Sequence, residues 1–148
     1  MAKYQKKEKR NIELLQREAM RSKFPNFKFQ KDKETLIFTG DLLIKPELPV
    51  YNITIRSYKG FTPKVFINKP PLVENAPHTY PDGNICLYYP GDFHWRQGML
   101  IAGKIMQWTI AWIYFYEAWL ETGVWFGPEV PHGSAPKELD NNEIEDDK

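Results

Sequence analysis

The chain has 148 residues, of which 42% are hydrophobic and 26% are charged, values that are typical of a single globular domain. Its formal net charge of +1 selects no class of partner, and its single cysteine excludes an internal disulfide. Residues 1–10 are charged and lack an apolar core, so we expect no secretory signal and a cytoplasmic protein.

The first predicted element is a helix over residues 12–20. Ile12, Leu15 and Ala19 recur at helical spacing, and Pro25 is expected to end the segment.

The next part of the chain has the alternation of β-strands. Apolar and polar side chains alternate in parts of residues 28–45, and a turn is predicted at residues 40–41. Residues 50–56 alternate throughout, residues 58–60 predict another turn, and residues 63–68 predict a further short strand. The order predicts an antiparallel meander after the helix.

A long proline-rich segment follows, at residues 69–92, and its aromatic and aliphatic side chains favour an ordered loop, where a functional site is expected. Residues 99–121 predict one long buried helix, which Gly123 caps or follows. Its main apolar stripe is Ile101, Ile105, Trp108, Trp112, Phe115 and Trp119. Polar residues interrupt this helix, so it falls short of a membrane span and no membrane partner is expected.

Charge is distributed unevenly along the chain. Residues 3–33 are rich in Lys and Arg, and residues 134–148 form an acidic tail that we expect to be disordered. The basic segment favours a solvated helix face, although a nucleic-acid or acidic-protein partner is an alternative. Aromatic side chains do not interleave with the basic ones, so no nucleic-acid partner is expected.

The single cysteine lies in the loop segment 77–87. Asp82-Gly83 predicts a tight turn just before it. The alternation of the following residues predicts that Ile85 and Leu87 are buried and that Cys86 is turned outward, as a reactive thiol requires.

His78 precedes Cys86 by eight residues and is a candidate to fold back toward the sulfur. On these residues alone, a single cysteine is more often an inert buried side chain than a nucleophile. Cys86, His78, His94 and His132 do not have the spacing of a zinc site, and no metal or other cofactor is expected.

This segment resembles the active-site segment of ubiquitin-conjugating enzymes. Pro77 falls on the family proline, residues 82–83 on its Asn-Gly, residues 85–87 on the catalytic cysteine segment, and Trp95 near a following tryptophan. The order of predicted elements also agrees, over roughly residues 12–121.

Two departures resemble the bacterial branch of that family. His78 replaces the family asparagine, and Ala76 replaces its histidine. The runs at residues 86–90 and 122–125 also resemble this branch, whose members occur in CBASS antiphage systems with a cGAS-like nucleotidyltransferase. The chain carries no fused activating domain and so looks like the stand-alone form.

The resemblance implies an α+β, ubiquitin-conjugating (UBC-like) fold. Its parts are an N-terminal helix, a four-stranded antiparallel meander, a long active-site loop and a long buried C-terminal helix. We expect a single domain over residues 1–133, followed by the tail at residues 134–148.

The resemblance also implies that Cys86 forms a thioester with the C-terminus of a partner, a cGAS-like nucleotidyltransferase, and passes the acyl group to an amine such as a target lysine. His78 is expected to stabilise the oxyanion or act as a base, with a hydrogen bond that only orders the loop as the alternative. Asp92, His94 and Glu121 are weaker candidates to orient the amine, and Tyr88 and Tyr89 are weaker candidates to lie beside the thioester. No P-loop or Gly-rich nucleotide fingerprint is present, so a separate activating enzyme or an activated donor is needed. The alternative is a non-catalytic scaffold that binds the nucleotidyltransferase.

Overall fold

The computed structural model describes residues 2–87 and 93–128, which form an α+β architecture. The predicted order of an N-terminal helix, an antiparallel sheet and a C-terminal helix is confirmed. The elements are helix α1 at Ala2–Lys23, strands β1 at Lys28–Asp32, β2 at Thr35–Leu42, β3 at Tyr51–Tyr58 and β4 at Lys64–Lys69, a π-helical turn at Ile101–Ile105, and helix α2 at Met106–Thr122.

Helix α1 begins ten residues before the predicted start and ends at Lys23, before Pro25 as expected. Its buried positions are Gln16 and Met20, whereas Leu15, predicted on the apolar face, is 46% exposed. The other two predicted positions, Ile12 and Ala19, are half-buried, so the prediction is wrong for Leu15 alone. Gln16 takes the neighbouring buried position because its amide finds backbone partners in the interior.

The sheet has the strand order β1-β2-β3-β4, and every neighbouring pair is antiparallel. The alternation predicted for β3 is confirmed, because Tyr51, Ile53 and Ile55 are all at most 1% exposed. These side chains, with Phe38 and Val65 of the neighbouring strands, form the sheet side of the hydrophobic core.

The turn predicted at residues 40–41 is wrong. Gly40 lies within β2 and pairs with Ile53, and the chain reverses earlier, where Lys33 has a φ of 56°. A Cβ atom at position 40 would lie 2.6 Å from the ring of Phe27. The glycine therefore serves a close packing contact inside a strand rather than a chain reversal.

The C-terminal helical segment starts with the π-helical turn and continues as α2, so the one long α-helix predicted for residues 99–121 is only partly correct. Trp108, Phe115 and Trp119 of the predicted stripe are half-buried. The π-helical turn adds a residue to one turn and rotates the buried face relative to a regular helix. That face consists of Ile101, Ala102, Ile105, Met106, Thr109, Trp112, Ile113 and Tyr116. Gly123 ends α2 with a φ of 79°, as predicted.

Residues 70–87 form the predicted long loop, in which the regular pairing is limited to isolated bridges. In the two described ranges, no helix has both the length and the apolar character needed to cross a membrane. The acidic segment at residues 134–148 lies outside the described residues, so its disorder and the domain boundary at residue 133 stay predictions.

Candidate functional site

Residues 78–86 form a narrow hairpin that carries Cys86. The backbone N–H of Tyr80 donates to the carbonyl of Asn84 at 2.9 Å, and the N–H of Gly83 donates to the carbonyl of Tyr80 at 2.8 Å. Gly83 has a φ of 95°, a conformation that glycine adopts without steric cost. The tight turn predicted before the cysteine is confirmed, and it has the pattern of a three-residue hairpin loop.

A carboxylate stabilises the tip of this hairpin. Oδ1 of Asp82 accepts the backbone N–H of Asn84 at 3.0 Å and also its side-chain amide, and Oδ2 lies 3.0 Å from Nζ of Lys64. Burial alone would raise the pKa of Asp82, but the hydrogen bonds from Asn84 and the ammonium of Lys64 outweigh it and hold that pKa below its usual value. The turn therefore keeps an ionised side chain at neutral pH.

Cys86 is only 9% exposed, so the prediction that it is turned outward is wrong. The segment is covered on both edges. The N–H of Ile85 donates to the carbonyl of Val65 at 2.9 Å on one side, and Thr79 pairs with Ile85 on the other. Ile85 and Leu87, on the opposite face, are 2% and 5% exposed, as predicted. Both faces of this segment are therefore covered, and alternation alone does not turn one side chain outward.

The sulfur of Cys86 has a polar neighbour. The thiol donates to the hydroxyl of Tyr80, with a distance of 3.3 Å from Sγ to Oη. Tyr80 was not among the site residues expected from the sequence. The signal was the hairpin register, because Tyr80 lies opposite Asn84 and is therefore the diagonal neighbour of Cys86.

His78 and Cys86 lie opposite each other across the hairpin. The N–H of Cys86 donates to the carbonyl of His78 at 2.8 Å, and Nε1–H of Trp112 donates to the same carbonyl at 3.2 Å. His78 has a φ of 56°, which is uncommon for a residue other than glycine, and these two bonds hold its backbone there. The structure thus brings the two predicted site residues together through their backbones.

The imidazole of His78 packs on an indole. The ring centroids of His78 and Trp125 are 4.6 Å apart, and Trp125 also contacts Trp112 at 5.7 Å and Phe115 at 6.0 Å. The aromatic stripe of α2 and the segment after it therefore form a wall beside the hairpin. Trp125 was not among the site residues expected from the sequence, because its contact with His78 joins residues that are distant along the chain.

Two of the weaker candidates, His94 and Glu121, are exposed, and no role at the site is assigned to them. Asp92, Tyr88, Tyr89 and His132 lie outside the described residues. Across residues 2–87 and 93–128, no group of three or more His, Cys, Asp or Glu side chains is placed to hold a metal ion. Two surface grooves, one beside α1 and one beside α2, are lined by neither Cys86 nor His78.

One family of known proteins matches the sequence over most of this architecture. Residues 16–133 match the profile of a family described as type II CBASS E2 protein, and this span contains the sheet, the hairpin and α2. No curated protein matches the chain. Because the family match extends over more than half of the sequence, the chain belongs to the type II CBASS E2 protein family.

Proposed function

We propose that the protein has a UBC-like fold and acts as an acyl carrier in antiphage defence, with Cys86 as the thioester-forming residue. Membership of the CBASS E2 family is consistent with an E2-like role in such defence. The observation that carries the proposal is the position of the single cysteine in an ordered hairpin, directly opposite a histidine. We propose the C-terminus of a cGAS-like nucleotidyltransferase as the acyl donor.

The proposed reaction has two steps. In the first, the Cys86 sulfur attacks the carbonyl carbon of an activated C-terminal carboxyl group, the thiol proton is lost, and the activating group leaves. In the second, an amine attacks the thioester, a C–N bond forms, the C–S bond breaks, and the proton lost by the amine balances the one that sulfur regains. Each step passes through a tetrahedral intermediate with a negatively charged oxygen.

We propose His78 as a donor to that oxygen. The carbonyl of His78 is bonded to the N–H of Cys86, which keeps the residue beside the reacting strand. A preorganised donor at an oxyanion contributes about 100- to 1000-fold in rate. Action of His78 as the base that takes the proton of the amine remains the alternative role for the same side chain.

Activation of the donor requires another protein in this scheme. The sequence has neither a P-loop nor a Gly-rich nucleotide fingerprint, so the acyl group would reach Cys86 as an already activated species. No cofactor enters either step, and the proposed acceptor is a lysine of a target protein.

The test is incubation with a cGAS-like nucleotidyltransferase and an activating protein, followed by electrophoresis and mass spectrometry. We expect an adduct that strong reductant removes and that is lost in Cys86→Ala. The Cys86→Ser variant should instead form an oxyester that resists reductant. That variant is the matched control, because a serine cannot form a mixed disulfide with a partner thiol.

One observation favours a second candidate function. Cys86 is only 9% exposed, and an acyl donor must reach its sulfur. A non-catalytic scaffold that binds the nucleotidyltransferase has no such requirement. Co-purification of the two proteins without any adduct, and unchanged in Cys86→Ala, would identify the scaffold and contradict the acyl carrier.

A further inference from the structure

We propose that Tyr80 is a further catalytic residue of this site, beside Cys86 and His78, and that it stabilises the anionic form of the Cys86 sulfur by donating its phenolic hydrogen. The inference rests on the proposed function, since it assigns a step of the acyl transfer to a side chain that the family match does not single out. Its starting observation is the 3.3 Å contact between Sγ of Cys86 and Oη of Tyr80.

The backbone holds Tyr80 in position for this contact. Its N–H donates to the carbonyl of Asn84 and its carbonyl accepts the N–H of Gly83, so the residue is fixed at the start of the turn. Asn84 is held in turn by the carboxylate of Asp82. The hydroxyl therefore reaches the sulfur from an ordered hairpin rather than from a mobile surface side chain.

A phenol suits both states of the sulfur. In the resting protein the thiol donates and the phenolic oxygen accepts. A tyrosine hydroxyl is also a donor, so rotation about the C–O bond aims its hydrogen at the sulfur once the thiol has lost its proton.

Burial favours the use of a protein donor at this sulfur. Cys86 is 9% exposed, which leaves little room for water around the sulfur. An anion removed from water is stabilised only if protein groups replace the lost hydrogen bonds. A hydroxyl within hydrogen-bonding distance of Sγ is such a replacement.

Tyr80 acts both when the C–S bond of the thioester forms and when that bond breaks. When the thioester forms, the hydroxyl stabilises the thiolate that attacks the acyl carbon. When the amine displaces the sulfur, the C–S bond breaks and the hydroxyl stabilises the departing thiolate until it regains a proton. Tyr80 itself keeps its proton throughout, so the balance of the reaction is unchanged.

The test compares wild type with Tyr80→Phe, which removes only the phenolic oxygen. Because Cys86 is the only cysteine, alkylation by iodoacetamide at neutral pH reports on this thiol alone. We expect alkylation to slow by about tenfold, the effect of losing one hydrogen bond to an anion. The matched control is Tyr58→Phe, which removes the hydroxyl of a tyrosine that is 44% exposed on β3.

The direction of the change in alkylation rate distinguishes a loss of thiolate stabilisation from a loosened hairpin. A variant that merely loosened the hairpin would expose the sulfur and speed its alkylation. Either that result or an unchanged rate would overturn the proposal, whereas slower alkylation with wild-type circular dichroism supports it.

A second measurement does not depend on the folding of a variant. The infrared S–H stretch of the wild-type protein arises from Cys86 alone, and a donated hydrogen bond lowers its frequency relative to the unfolded chain. A band at the unfolded position would overturn the proposal. Loss of the proposed function is recognised separately, by the absence of a Cys86 adduct in the presence of donor and activating protein.

Discussion

His78 has a left-handed backbone conformation, with a φ of 56°, directly across from the residue that bears the sulfur. Two hydrogen bonds to its carbonyl, from Cys86 and Trp112, and the ring contact with Trp125 hold it there. At the scale of single residues, an uncommon backbone conformation that neighbours maintain is often part of a functional arrangement. The proposed role of the His78 side chain, as oxyanion donor or as base, can therefore be tested by substitution.

We predict that His78→Ala slows transfer from a preformed Cys86 thioester to an amine by about 100-fold, because the donor to the oxyanion is lost. The rate is measured in a single turnover with a soluble amine. His78→Asn is the matched variant, because asparagine tolerates a positive φ and its amide N–H donates. If His78 is a donor, the asparagine variant retains most of the rate.

The two variants also separate the two roles. An asparagine cannot accept a proton from the amine, so equal losses in both variants would favour the base over the donor. A wild-type rate in His78→Ala, with a native circular dichroism spectrum, would contradict both roles.

At the scale of elements, the contact between α1 and the start of the C-terminal helical segment depends on one buried amide. Gln16 is 3% exposed, and its Nε2–H donates to the carbonyl of Met99 at 2.6 Å while its Oε1 accepts the N–H of Ile101 at 2.9 Å. These backbone groups lie at the start of the π-helical turn, where helical partners are missing. One side chain therefore satisfies two groups at a helix start.

We predict that Gln16→Leu lowers the free energy of unfolding by about 2–4 kcal/mol, because it leaves the carbonyl of Met99 and the N–H of Ile101 without this partner. Urea denaturation followed by tryptophan fluorescence measures the loss. Leu15→Ala, at the neighbouring position with 46% exposure, is the control and should change stability by less than about 1 kcal/mol. Equal stability of Gln16→Leu and wild type would show that this amide does not join the two elements.

At the scale of the whole molecule, a buried hydroxyl connects the sheet to α2. Tyr51 at the start of β3 is 1% exposed, and its hydroxyl donates to the carboxylate of Glu117 on α2. Burial, and then the hydrogen bond to Glu117, raises the pKa of Tyr51 well above its usual value. The folded protein therefore keeps this proton at a pH at which the unfolded chain loses it.

The sign of the pH dependence follows from that difference. The contribution of Tyr51 to stability is complete below the unfolded tyrosine pKa of about 10 and is lost as pH rises from there toward the folded value. We predict that the free energy of unfolding of wild type falls more steeply above about pH 10 than that of Tyr51→Phe, by up to about 1.4 kcal/mol per pH unit.

Denaturant titrations from neutral pH into this alkaline range measure the two slopes. Tyr4→Phe serves as the control, since it also removes one phenol, but from a side chain that is 69% exposed. Parallel curves for wild type and Tyr51→Phe would contradict a buried Tyr51 hydroxyl.

The amino-acid sequence by itself determined the features that depend on neighbours along the chain. The alternation of β3, the end of α1 before Pro25, the turn before Cys86 and the cap at Gly123 were all predicted correctly. The placement of His78 across from Cys86 is also local, because a tight turn within a nine-residue segment brings the two backbones together.

Tertiary structure alone decided which faces are covered and which atoms meet across the molecule. The hydrogen bond that joins the cysteine segment to the sheet runs from Ile85 to Val65 of β4, and the packing role of Gly40 depends on Phe27. The contact of His78 with Trp125 joins residues that are far apart in sequence. The physical reason is that periodicity records the two faces of an isolated element, whereas burial and hydrogen bonding depend on whatever packs against each face.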